Sequence, residues 1–445
     1  MGTVLCVDVG STFTKAVLVE GDDGRVLGST DHPTTVATDV MDGVDAVREA
    51  LSGHGEPDDV LVCSSAGGGL RLAVVGHERQ VTAEAGYRVG LSAGAKVVHV
   101  GHGRMSGADL RELRATSPDV VLLVGGTDGG NADVLLHNAR RLARARLQPP
   151  VVVAGNAEAA PAAAAELSST GRRHVVAPNV LPRIGVVAPE GARAAIREVF
   201  LAHVIGGKGL SRGRGFADLV RAATPDAVLA GVEVLADVVA GDVLVVDVGG
   251  ATTDVYSVLT PQGEDAELRR DVVGALWHAR TVEADLGMRW GAQGVVDAAA
   301  RERLDLPPGA AGYAARVAAE TGHLAGAAEW VHEESLATTA VLVALRRHGR
   351  PATPAEPPRP LADVSVLVGS GGVLRHAPDG LGARVLAAAL SDHGGGWRVP
   401  GRARTVVDRT YVLFAVGLLA AEHPAAAGAL AAGLVGADGT VGSQS

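Results

Sequence analysis

Two stretches of the chain repeat one pattern of apolar and polar positions. Val4-Leu5-Cys6-Val7 runs into Asp8-Val9-Gly10-Ser11-Thr12, and Val243-Leu244-Val245-Val246 runs into Asp247-Val248-Gly249-Gly250-Ala251-Thr252-Thr253-Asp254. Four consecutive apolar residues are the pattern of a strand buried on both faces. Each copy then places a lone Asp, a glycine and small residues, and closes with a second apolar run, Ala16 to Val19 or Val255 to Leu259. The pattern predicts strand, tight turn, strand, with a carboxylate, backbone N–H groups and hydroxyls at the tip. Glycine lets backbone approach an anion closely, and successive N–H groups form an anion-binding nest. Two such hairpins predict two similar domains that grip one polyphosphate from opposite sides.

Elsewhere the periodicity alternates. Strands are expected over Arg25 to Ser29, Val60 to Cys63, Leu72 to Val75, Lys96 to Val100, Val120 to Val124 and Val151 to Ala154. Helices are expected over Asp39 to Leu51 with Asp39 as N-cap, Thr82 to Leu91, Ser106 to Ala115, and Ala132 to Ala145. This spacing implies βα units around a largely parallel sheet. Further helices are expected over Ala192 to Val204, over Ala227 to Val239 with Pro225 in the first turn, and over Thr410 to Glu422. Pro351 to Pro360 reads as a linker, and the Ala/Gly tail from 425 is expected to fray. The expected division is a first domain over 1–240 to which 405–430 returns, a second over 241–404, and a disordered tail over 431–445.

Composition narrows the picture. At 445 residues the chain is too long for one ordinary core. With 47% apolar and 20% charged residues it reads as globular rather than disordered. A net charge of −10 without a basic surface, and only 3% aromatics, argue against nucleic-acid binding. No apolar run reaches bilayer length, so no membrane span is expected. The two cysteines, Cys6 and Cys63, sit in strand-like runs and read as small buried hydrophobes. With no signal-like segment at the N-terminus, the expected location is cytoplasmic.

The order of the motifs carries a resemblance. The hairpin from Asp8 to Lys15, its copy from Asp247 to Asp254, the glycine turn Gly369-Ser370-Gly371-Gly372 after the buried run Val364 to Val368, and the segment Asp408 to Gly417 occur in the order of the actin-like superfamily of sugar kinases, heat-shock chaperones and actin. The resemblance implies an α/β fold of two similar ribonuclease-H-like domains with a nucleotide cleft between them. Asp8 to Lys15 and Asp247 to Asp254 would be the phosphate motifs and Gly369 to Gly372 the adenosine motif. Ala415 and Gly417 would allow the last helix to cross closely. Four finer stretches, Leu123 to Asn131, Ala154-Gly155-Asn156, Asn179-Val180-Leu181-Pro182 and Thr281 to Met288, are similar to the GlmL family, also called MutL and unrelated to the mismatch-repair protein. That resemblance implies an ATP-driven reactivating chaperone that partners an adenosylcobalamin-dependent mutase such as glutamate mutase and releases damaged cobalamin.

The candidate chemistry follows. Mg²⁺ keeps several waters and uses one or two carboxylates with phosphate oxygens, so Asp8 and Asp247 suit a water-mediated Mg²⁺–ATP site. Gly10, Ser11, Thr12, Gly249, Gly250, Ala251, Thr252 and Thr253 offer N–H groups and hydroxyls to phosphates, and Lys15 offers an ammonium. Gly369, Ser370, Gly371 and Gly372 would let backbone approach adenine and ribose. Asp128, in a glycine turn after a buried strand, is a candidate to orient the attacking water, with Glu158 and Asp285 as rivals that the sequence does not separate. Val204 to Gly209 lacks the leading Gly and the Ser/Thr of a P-loop. His99 and His102 fall on opposite faces of a strand, which is poor metal geometry. The cysteines lack iron–sulfur spacing. Two other readings stand beside the chaperone: a small-molecule kinase of the same superfamily, with Asp128 as base, and an ATP-dependent filament or scaffold protein.

Overall fold

The computed structural model describes residues 2–436 except 36–37, 67–69, 79–81, 83–85, 87–88, 91–94, 185, 206–209, 212–214, 260–277, 324, 352–357 and 397. Strands β1 (Thr3–Val9), β2 (Phe13–Glu20), β3 (Val26–Pro33) and β4 (Asp59–Ser64) come first, followed by β5 (Arg71–Gly76), β6 (Lys96–His102), β7 (Val120–Leu123), β8 (Val151–Val153) and β9 (His174–Val176). Then come β10 (Val220–Ala223), β11 (Val243–Val248), β12 (Thr253–Val258), β13 (His278–Glu283), β14 (Val366–Ser370) and β15 (Arg404–Val407). They form three sheets of five strands.

The first sheet has the order β10-β4-β1-β2-β3 and the second β13-β12-β11-β14-β15. In each, three strands run antiparallel in chain order, and two later strands add in parallel beside the first. The repetition seen in two short motifs therefore extends to whole sheets, and the fold is the duplicated α/β arrangement that the resemblance implies. β15 still pairs with β14, so the return to the first half runs through Asp408 to Val412 and is completed by the helix Leu413–Leu419.

The third sheet, β6-β5-β7-β8-β9, is wholly parallel and interrupts the first sheet between β4 and β10. The alternating pattern of residues 60–154 implied a single sheet, but it is divided between two. Val60 to Cys63 and Val120 to Leu123 are equally apolar, and both-face burial carries no label for which sheet a strand joins.

One core joins the two duplicated sheets. The central helix Thr224–Val239 buries Val228, Leu229, Val232 and Leu235 against Val4, Cys6 and Leu61 of the first sheet and Val243, Val245 and Tyr256 of the second. Each such side chain contributes about 1.5–3 kcal/mol of burial. Leu413–Leu419 crosses this helix at Gly231 and Gly417. A Cβ on Gly417 would collide with the Ala227 carbonyl, and one on Gly231 with the Leu413 carbonyl. Ala415 is fully buried beside this crossing, so small residues allow close approach there, as expected.

Local signals hold where capping chemistry is present. Asp39 accepts from the Met41 N–H at 2.9 Å and starts the helix Val40–Ala50. Ser106 and Asp109 form a reciprocal capping box at Gly107–Ala115. The helix expected to reach Val204 ends at Val199 and continues as a wider turn over Phe200–Ile205. The expected fraying from 425 is corrected: Pro424–Gly436 is a helix that buries Ala427, Leu430 and Leu434 in the same core as the central helix. Most of Thr82 to Leu91 and of Pro351 to Pro360, and all of 437–445, lie outside the described residues.

Candidate nucleotide site

The two hairpin tips are built alike. In the first, the Gly10 N–H donates to the Phe13 carbonyl at 3.1 Å and leaves Ser11-Thr12 as a two-residue loop. In the second, the Gly249 N–H donates to the Thr252 carbonyl at 2.9 Å and leaves Gly250-Ala251. A Cβ on Gly10 would come 2.7 Å from the Phe13 oxygen, and one on Gly249 would come 2.9 Å from the Thr252 oxygen. Both glycines are thus required by the same close approach. The tips meet: the space in front of Gly250, where a Cβ would sit, is 4.0 Å from the Thr12 Oγ1.

Behind each tip lies its aspartate. Asp8 is almost fully buried and surrounded by donors. Thr224 Oγ1 donates to Asp8 Oδ1 at 2.5 Å, Cys63 Sγ donates to the same oxygen at 3.7 Å, and Lys15 Nζ donates to Oδ2 at 3.5 Å. Cys63 faces Asp8 in the parallel register of β1 and β4, and burial pushes its thiol well up, reinforced by the Asp8 charge. Asp247 is different. Its described partner is the Tyr411 hydroxyl, which donates to Oδ2 at a long 3.4 Å. Burial pushes the Asp247 carboxyl up to about 6. Lys15 opposes that rise, while Asp254, Asp8 and Asp408 add to it.

Lys15 links the halves. Its ammonium lies 3.7 Å from the centre of the Tyr411 ring and also pairs with Asp8. Tyr411 belongs to the return segment, which is anchored by buried Asp408. That carboxylate accepts from the N–H groups of Val412 at 3.0 Å and Leu413 at 3.2 Å. The segment therefore places one aromatic ring between Lys15 of the first hairpin and Asp247 of the second.

The second tip is also braced from behind. The Met288 N–H donates to the Gly249 carbonyl at 2.9 Å and the Arg289 N–H to the Gly250 carbonyl at 2.7 Å. A Cβ on Gly287 would come 2.5–2.6 Å from Ala251 and Gly250 backbone, so only glycine fits that turn. Arg289 is itself held by buried Glu333 at 2.9 Å, to which Tyr313 also donates. Asp254 forms an ion pair with Arg280 at 2.6 Å and accepts from Thr252 Oγ1 at 3.2 Å, so that hydroxyl faces Asp254 in this structure. Thr253 Oγ1 is buried without a partner among the described residues.

The expected adenosine turn adjoins the same place. Ser370 is the β14 residue in register with Asp247, and Gly371 takes φ +103 against the Val248 backbone. A Cβ on Gly372 would meet only open space. Across the cleft, Arg375 pairs with Asp31 of β3 at 3.3 Å.

The structure does not bring Asp128 to the hairpins. Its carboxylate accepts from Asn179 Nδ2 and the Ala157 N–H, each at 2.8 Å, and so ties together the loops after β7, β8 and β9 of the inserted sheet. Glu158 lies beside Gly129 in that same cluster. Asp285 is held by Arg347 at 2.6 and 3.0 Å, and that contact draws its carboxyl below the usual range. Among the described residues, none of the three contacts Asp8 or Asp247. Thr224, Tyr411, Arg280 and Arg289 were missed in the sequence. Only Thr224, ahead of Pro225 at a helix start, carried a signal, and that signal was for helix initiation.

The residues present fit a nucleotide with a divalent cation. Two carboxylates that repel one another, Asp8 buried and Asp247 half-buried with unused acceptor capacity, form a donor set a dication would satisfy. The two backbone tips suit phosphate oxygens. No helix among the described residues is long and apolar enough to cross a membrane.

Comparison with known proteins bears on the whole length. The profile of the family described as MutL protein matches residues 4–433. Protein MutL of Clostridium tetanomorphum is 32% identical over 95% of this chain and 97% of its own. The chain belongs to the MutL family. Solved structures similar to this MutL-family chain are distant. A nucleotide-free acetone carboxylase has TM-score 0.38 and 15% identity over 94% of this chain and 70% of its own. A nucleotide-free diol dehydratase-reactivating factor has TM-score 0.37 and 12% identity over 95% of this chain and all of its own. At such scores they add nothing to the argument from the site.

Proposed function

We propose that this MutL-family chain binds and hydrolyses ATP between its two duplicated halves and acts as a reactivating factor for an adenosylcobalamin-dependent mutase such as glutamate mutase, promoting release of damaged cobalamin. The observation that carries the ATP site is the meeting of the two hairpin tips, with Asp8, Lys15 and Asp247 linked through Tyr411. Asp8 and Asp247 would hold Mg²⁺ and its waters. Bound Mg²⁺ would neutralise phosphate charge and polarise the phosphoryl oxygens. Gly10, Ser11, Thr12 and Lys15 would hold phosphates from one side. Gly249, Gly250, Ala251, Thr252 and Thr253 would do so from the other, with Gly369 to Gly372 beside the nucleoside. Family membership over nearly the whole chain supports the chaperone role over the kinase and scaffold readings.

The bracing of the second tip supports a coupled motion. A change in what Gly249 and Gly250 hold would pass through Met288 and Arg289 to Glu333 in the helix Trp330–Gly349. The halves would then re-pack about the central helix as a hinge or shear. The test is ATP turnover by the purified chain, alone and with a mutase inactivated by bound cyanocobalamin. Raised turnover and recovery of mutase activity on adding fresh adenosylcobalamin are expected. Turnover with no recovery of the mutase, or a phosphorylated metabolite among the products, would overturn the chaperone role.

A further inference from the structure

We infer that Tyr411 is a positioning residue of the ATP site: its ring seats the Lys15 ammonium and its hydroxyl orients Asp247, so that one side chain from the return segment sets the charges of both hairpins. The inference rests on the ATPase reading above.

Four observations converge on Tyr411. It is 6% exposed, although it sits in a short connection rather than in a strand or a long helix. Its φ is +56, a conformation that costs a bulky L-residue of order 1–3 kcal/mol and persists only where the surroundings impose it. Its ring centre lies 3.7 Å from Lys15 Nζ and its hydroxyl 3.4 Å from Asp247 Oδ2. The imposing contacts are visible: Asp408 takes the N–H groups of the next two residues, and the Phe414 ring packs at 5.5 Å between centroids.

The consequence is a division of labour within one side chain. An ammonium on a flexible four-carbon stem has many positions open to it, and an aromatic face restricts it by cation–π attraction. A carboxylate with one donor among the described residues is held at one oxygen, leaving the other to a cation. Asp8 needs neither service, because Thr224 and Cys63 already fix it.

The experiment compares Tyr411→Leu and Tyr411→Phe with the unaltered chain in ATP turnover, over a series of ATP and Mg²⁺ concentrations, with melting temperatures alongside. Tyr411→Leu removes ring and hydroxyl, and kcat is expected to fall about tenfold, within the roughly two- to thirtyfold range of cation–π contacts from exposed to desolvated. Tyr411→Phe keeps the ring. It is expected to hold kcat at saturating Mg²⁺ within about threefold while raising the half-saturating Mg²⁺ concentration several-fold. A residue that merely filled space would lower the melting temperature and leave the Mg²⁺ requirement in place. If Tyr411→Phe shows the unaltered Mg²⁺ requirement, the inference about Asp247 is wrong. If a folded Tyr411→Leu turns over ATP within twofold of the parent, the inference about Lys15 is wrong. If the unaltered chain neither binds nor hydrolyses Mg²⁺–ATP, the ATPase reading itself falls.

Discussion

The two hairpins share their backbone and differ in their chemistry. Asp8 and Asp247 occupy the same register position, and the residue opposite is Lys15 in one and Asp254 in the other. That single difference reorganises what surrounds each carboxylate. The first is paired across its own hairpin and is further supplied by Thr224 and Cys63. The second faces a like charge, which must itself be neutralised from β13 by buried Arg280. Duplication supplied two equivalent cradles, and divergence left one carboxylate compensated and the other with capacity to spare. A site that binds a cation and a polyanion together needs both kinds.

Breaking the comparison at the like charge beside Asp247 should give the largest effect. Arg280→Met leaves the half-buried Asp254 without its cation and should cost about 3 kcal/mol of unfolding free energy, read from a denaturant midpoint. The double variant Arg280→Met with Asp254→Leu should recover much of it, because an apolar pair has no charge to desolvate. A single variant as stable as the parent would mean that Asp254 finds another partner.

Next in size, Asp247→Asn should lower ATP turnover on the order of a hundredfold, with the melting temperature of the nucleotide-free protein unchanged or raised. The neutral amide avoids the charge that burial disfavours at this position. Unchanged turnover would remove Asp247 from the site. Thr224→Val tests the other cradle. The loss of a 2.5 Å donor to a buried carboxylate should cost about 1.5 kcal/mol or more, again from a denaturant midpoint. If it proves neutral, Lys15 and Cys63 suffice to hold Asp8.

The smallest effect concerns pH and is confined to the second half. His348 is fully buried between Thr281 and Ser257 hydroxyls, 2.9 Å from each, with the Arg359 guanidinium on its own carbonyl. Burial, helped by Arg359, holds its ring well below the usual imidazole range. The unfolded chain therefore takes up a proton below about pH 6.5 that the folded chain refuses. Stability should be full above that pH and decline as the pH falls, by up to about 1.4 kcal/mol per pH unit. His348→Gln should flatten the decline, and an identical slope in that variant would assign it to other groups.

Much of this site was legible because it is written locally. Four apolar residues, an Asp and a glycine fix strand, turn and tip within a dozen positions, and their recurrence fixes the duplication. The capping residues Asp39 and Ser106 were readable for the same reason. Tyr411 and Thr224 were not, because their meaning comes from residues hundreds of positions away. Nothing near Tyr411 announces a left-handed backbone, and a Thr before Pro reads as a helix start. Asp128 shows what a local motif leaves out. A glycine turn after a buried strand is a fair sign of a ligand site in general, but here its carboxylate is spent on Asn179 and the Ala157 N–H. The terminal helix was misread because an Ala/Gly run looks the same whether it frays or packs, and only a receiving surface decides.

The interrupted first sheet has a consequence for how the chain acquires its shape. Strand β10 cannot complete that sheet beside β4 until roughly 150 intervening residues have brought Val62 and Val220 together. As a loose loop, that segment would impose an entropic cost of about (3/2)RT ln n. Once it has folded around its own parallel sheet, most of that chain is already ordered and less of that cost is left to meet. The inserted sheet is thus expected to form early, as a scaffold emerging from the ribosome ahead of the strand that waits for it. Substitutions that slow its assembly would then lower the yield of active protein while leaving the finished cleft unaltered.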